Sequence, residues 1–270
     1  MRRAAIVVWS VALAGLLAAN VATAQRIDFA DDHLVGWVPL IPNISIIPSV
    51  PLLDHFHLGY ERDDHHVLGA VVFPPTERRF GYVGLWDSSL SRFHYDVGWR
   101  LLVTQNTLPP AISLVSGDCG GRRCTVQVDD HPFSAGGTFV LLGFHLKFEN
   151  GDHHIDVIEV REQNQEIVVE FADKNGDDPF EWDVEFTYLP ADRVHTTATV
   201  RGTAAGWDSK STGLSPDVVI GGFRFDFDDN DHHIRDFAID VRDGHTVSVK
   251  YNDENSDDDY DWIVDLVELN

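Results

Sequence analysis

The stretch "GFRFDFDDNDHHIRDFAIDV", residues 222–241, alternates aromatic and other side chains, breaks into an acidic Asp-His-His, and then alternates again. Successive side chains of an extended chain point to opposite sides, so Phe223, Phe225 and Phe227 share one face of a strand. Phe237, Ile239 and Val241 share a face of a second strand. Outward from there, Val247, Val249 and Tyr251 mark a third strand, and Tyr260, Trp262, Val264 and Leu266 a fourth. Between these two lies "NDENSDDD" (252–259), which reads as a loop. The four are labelled A to D below. One apolar face per strand is the pattern of an antiparallel sheet packed on one side.

The same phrase is written twice more. "GFHLKFENGDHHIDVIEV" (143–160) continues into strands carrying Ile167, Val169 and Phe171, then Phe180, Trp182, Val184, Phe186 and Tyr188. "HFHLGYERDDHHVLGAVVF" (55–73) leads on to Phe93, Tyr95, Val97, Trp99 and Leu101, but its acidic loop is reduced to Asp87, Ser89, Ser91 and Arg92. Asp64, Asp152 and Asp231 are spaced by 88 and 79 residues. Internal repeats of this size are supersecondary units, and helical periodicity is nearly absent. The expectation is an all-β chain of three tandem antiparallel repeats, 25–107, 108–190 and 191–270. They would form either small sandwiches or one composite three-sheet assembly. Segments between the copies, rich in Gly, Ser, Thr and Pro, read as connections holding short strand-like pieces such as "CTVQV" and "TTATVRG".

If A to D ran as a meander, Asp-His-His (the A–B turn) and the acidic loop (the C–D turn) would share one rim. His154 would then approach Asp173, and His233 would approach Asp253. Oxygen side chains at alternate loop positions (Asp173, Asn175, Asp177, with Asp178; Asp253, Asn255, Asp257, with Asp258) are spaced like the first ligands of a calcium loop. The glycine at the sixth position and the glutamate at the twelfth position of an EF-hand are missing. Asp and Asn are also favoured in solvated turns, where they bond the local backbone, and that reading stands beside calcium. Asp64, His65, His66, Asp152, His153, His154, Asp231, His232 and His233 are either turn-and-packing residues or metal ligands. Adjacent residues on a strand face opposite ways, so one histidine per copy could bind, and imidazole suits zinc better than calcium. Copy 1 keeps Asp-His-His while losing most of its loop, which favours the structural reading.

Composition sets the surroundings. Arg2 and Arg3, an apolar run, and "ATA" at 22–24 read as a secretory signal peptide (1–24) cleaved after Ala24. Its loss takes the formal charge from −24 to −26. That acidity excludes nucleic acid and anionic membrane as partners. No later apolar run reaches the roughly 20 residues of a membrane span, so the expected location is secreted or periplasmic. Cys119 and Cys124, the two cysteines, are expected to pair there. No Gly-x-Ser-x-Gly elbow, His-Glu-x-x-His or phosphate loop occurs.

The run "DVVIGGFRFDF…AIDV…VSVKY…YDWIVDLVEL" resembles, in hydrophobic pattern over about the last 50 residues of each unit, the H-type lectin modules. The resemblance implies secreted carbohydrate recognition by a multivalent module, and no sugar-binding residue carries over from it. The expected function is a non-catalytic secreted binding protein, calcium-shaped and directed at a glycan or cell surface. A structural envelope protein, or a carboxylate-dependent secreted hydrolase, is the alternative.

Overall fold

The structure is a computed structural model that describes residues 25–41, 49–60, 66–76, 79–89, 91–103, 110–128, 136–149, 153–173, 178–227, 233–253 and 259–270. It is all-β, as the alternation requires; among the described residues the single helical element is a 3-10 turn, Ala191–Arg193. The A strands are β2 (Ser49–Tyr60), β8 (Thr138–Phe148) and β13 (Val218–Phe227). The B strands are β3 (Val67–Phe73), β9 (Ile155–Gln163) and β14 (Ile234–Asp240). C strands β4 (Gly81–Asp87), β10 (Glu166–Asp173) and β15 (Thr246–Asp253), and D strands β5 (Arg92–Val103), β11 (Phe180–Leu189) and β16 (Asp259–Leu269), complete the copies.

Pairing departs from the expected meander. Within a copy, B pairs with C and A pairs with D, but A does not pair with its own B. Instead β2 pairs with β14, β8 with β3 and β13 with β9, so the A strand of each copy docks on the B strand of another. The three junctions are equivalent, with Phe56 opposite Ile239, Phe144 opposite Val72 and Phe223 opposite Val160. Cyclic pairing relates the copies by a pseudo-threefold axis, and independent sandwiches do not form. The reason is physical: each copy's aromatic A strand is buried only when a neighbour's B strand and its own D strand flank it.

The segment ahead of copy 1 and those read as connections between copies are strands too. β1 (Gln25–Leu40) and β12 (Val194–Ser211) each pair first with the D strand and then, past a corner, with the C strand of their copy. The corners are Gly36 and Gly206, at φ +74° and +73°, a left-handed conformation open chiefly to glycine. In copy 2 the strand is split into β6 (Ile112–Cys119) and β7 (Arg123–Gln127), and its corner is the disulfide loop. Cys119 and Cys124 are bonded with 5.8 Å between their Cα atoms. The strand ladder runs β6-β11-β8-β3-β4-β1-β5-β2-β14-β15-β12-β16-β13-β9-β10-β7, so its two ends are the halves joined by this disulfide. The Gly, Ala, Asp and Lys residues of β12 disfavour strand, but two partner strands override them. Replacing both cysteines by serine is expected to lower stability by about 2 kcal/mol, the loop-entropy value for so short a ring. Urea unfolding of the variant without reductant checks this.

Every A strand carries a bulge at the same place, at Asp54, Leu142 and Gly221, and every B strand one at Leu68, Asp156 and Arg235. Bulges bend a strand and re-aim its side chains. On the axis this brings Phe56, Phe144 and Phe223 together, all at most 1 % exposed, with ring centroids 5.3–5.4 Å apart. Trp99 donates from Nε1 to the bulge carbonyl of Leu142 at 2.8 Å, so one copy caps the irregularity of the next.

Candidate functional site

The second histidine of each Asp-His-His immediately precedes its B strand: His66 before Val67, His154 before Ile155 and His233 before Ile234. Because the B strands are arranged around the axis and bulged at their second residue, these three half-buried imidazoles converge on it. Their ring centroids are 5.2 Å (His66–His154), 4.4 Å (His66–His233) and 4.4 Å (His154–His233) apart. One ring nitrogen of each lies within 4.8 Å of the other two.

The first histidine does something else. In copy 2, where it is described, buried His153 stacks on Phe148 at 3.9 Å. Its Nδ1 lies 3.2 Å from Asp173 Oδ2 and 3.7 Å from Asp178 Oδ2. The expected neighbour of Asp173 was His154; it is His153 that meets it, while His154 turns to the axis. Asp173 itself is buried at the end of β10. Asp64, His65, Asp152, Asn175, Asp177, Asp231, His232, Asn255, Asp257 and Asp258 lie outside the described residues. Asp253 ends β15, opposite Ile234, the residue after His233.

A second kind of site occupies the outer faces, and the repeat reading did not find it. Across one face the ladder aligns Trp37, Gly84, Val71, His145 and Asp183. Across another it aligns Trp207, Lys250, Ala238, His57 and Asp96. Trp37 and Trp207 each follow a corner glycine and are each 54 % exposed. On the first face Trp37 meets Tyr82 edge-on at 5.2 Å and Trp86 meets His145 at 5.8 Å. Together with Val71 and Phe73 these residues line a groove of about 360 Å³. His145 Nδ1 bonds Asp183 at 2.9 Å on its polar margin.

On the second face His57 lies 4.9 Å from His94 and 6.0 Å from Trp207, ring to ring. Its Nε2 is 2.7 Å from Asp236, which also accepts from Lys250 Nζ at 2.6 Å, and the Lys250 ammonium lies 5.5 Å from the Trp207 ring centre. Burial opposes the charge on Asp236, but the bonds from His57 and Lys250 outweigh it and hold the carboxyl below its ordinary value. The third face breaks the pattern. Arg123 stands at the tryptophan position and Arg224 at the histidine position, with buried Glu170 and Glu159 between them. Arg224 Nη1 bonds both glutamates at 2.7 Å.

The signal that could have found these faces is the dipeptide Gly-Trp at 36–37 and 206–207, both outside the aromatic repeat runs; the third Gly-Trp, 98–99, lies in a D strand and its Trp99 is buried. No protein-family model matches the chain, and a search among curated proteins returns no match.

Proposed function

We propose that the protein is an exported, non-catalytic binding protein that takes carbohydrate against the tryptophan platforms of two of its three faces. The observation that carries this reading is the recurrence of a half-exposed tryptophan, Trp37 and Trp207, at the same corner of two copies with imidazole and carboxylate alongside. A lone exposed aromatic needs no explanation, whereas one repeated at the same corner, and set in a lined groove at Trp37, marks a recognition surface. A flat indole offers a large apolar face to the C–H side of a sugar ring. His145–Asp183 on one face, and His57, Asp236 and Lys250 on the other, supply donors and acceptors at hydroxyl height. Two like sites on one rigid body give avidity toward a repeating polymer. The formal charge of −24 points the same way, favouring neutral or basic glycans over polyanions.

The test is a glycan panel followed by calorimetric titration of the best binder. Trp37→Ala and Trp207→Ala are each expected to weaken binding at least tenfold, about 1.4 kcal/mol, and together to abolish it without changing the melting temperature. Binding that is unchanged in the double variant, or absent across neutral and basic glycans alike, would remove this reading.

A further inference from the structure

Beyond carbohydrate recognition, we infer that His66, His154 and His233 form a transition-metal centre on the pseudo-threefold axis, with Zn2+ the ion its donors fit. Among the described residues, three imidazole nitrogens make up this cluster. That donor set suits Zn2+, Co2+, Ni2+ or Cu2+ and excludes calcium, which takes oxygen. The spacing is close to that of a closed site. A point equidistant from three atoms 4.8 Å apart lies about 2.8 Å from each, so each nitrogen must move by under about 1 Å to reach the usual 2.0–2.1 Å.

Three further features converge on the same place. The B-strand bulge that aims each ring recurs in all copies, although its residue is Leu68, Asp156 or Arg235, so it is the ring and not the bulged side chain that the three share. In copy 2 the neighbouring His153 is already engaged with Phe148 and Asp173, which leaves the axis to the second histidine. Finally, copy 1 has lost most of its acidic loop but retains His66. A centre needing one nitrogen from each copy requires that retention, whatever has happened to the loop. Three neutral ligands leave a dipositive ion its charge and a fourth position open to water or to an oxygen donor of a bound molecule. The ion would also tie the three copies together at one point.

The experiment is titration of the full chain, stripped with chelator, with Co2+ as an optical stand-in for Zn2+. One equivalent is expected to bind with visible d–d absorption of a low-coordinate site and to be displaced by Zn2+. His154→Gln and His233→Gln should each abolish that spectrum and weaken binding by more than about a hundredfold, whereas His153→Gln, which leaves the axial rings in place, should retain it. Should the axial variants fail to fold, ring-nitrogen NMR of the unsubstituted chain gives the answer, because Zn2+ should perturb three of its 14 histidines at one equivalent. Uptake without saturation at one equivalent, a spectrum that survives both axial variants, or a thermal shift with Ca2+ and none with Zn2+ would overturn the assignment.

Discussion

Phe144→Ala is expected to destabilise the whole molecule by about 4 kcal/mol, within the 3–5 kcal/mol that truncating a buried phenylalanine costs. The ring is fully buried and meets Phe56 at 5.4 Å and Phe223 at 5.3 Å. Its loss therefore opens a cavity on the axis and breaks two aromatic contacts made to other copies. At about 2–4 °C per kcal/mol for a chain of this size, the melting temperature should fall by about 8–16 °C. The shape of the transition matters as much as its midpoint. Because β8 pairs with β3 of another copy, unfolding should stay a single cooperative step. Two calorimetric transitions, with one near the wild-type midpoint, would show that the copies fold separately and would contradict the interlocked pairing.

Asp54→Ala should cost about 3–5 kcal/mol, the penalty for leaving a buried cation without its partner. The A-strand bulge of copy 1 holds this carboxylate fully buried, where it accepts from Arg26 Nε at 2.7 Å and bonds His55 Nδ1 at 2.6 Å. His55 also reaches Asp96 at 3.1 Å through Nε2. Burial opposes the imidazolium, but the bonds to Asp54 and Asp96 outweigh it and lift its pKa to about 9. In the unfolded chain the group titrates near 6.5, so folding favours the protonated form. This contribution is therefore complete below about pH 6.5 and is lost as pH rises through about 9. Melting the wild-type protein between pH 6 and pH 10 should show that decline, and Asp54→Ala should flatten it. A wild-type melting temperature that rises over the same interval would refute the assignment.

Strand identity was legible because burial on one side of a sheet imposes a period of two. Phe223, Phe225 and Phe227 announce a strand before any partner is known, and the Asp-His-His between two such runs announces a turn. The compartment rule for cysteines likewise anticipated the Cys119–Cys124 bond. β12 was not legible as a strand of 18 residues, since its Gly, Ala, Asp and Lys disfavour strand and offset its threonines, and the strand exists because β15 and β16 flank it. Trp37 and Trp207 were visible as letters, but their shared position depends on a corner glycine whose φ is a property of the folded chain.

The sequence by itself determined that the protein is all-β, that Asp-His-His is written three times between aromatic runs, and that its net charge is strongly acidic. Those properties follow from local side-chain period and composition. The tertiary structure alone decided that A strands pair across copies, that Asp173 meets His153, and that His66, His154 and His233 meet one another. Such contacts join residues from 20 positions apart (His153 and Asp173) to 183 apart (Phe56 and Ile239), and they depend on bulges, which shift register by one residue and leave no mark in the hydrophobic pattern.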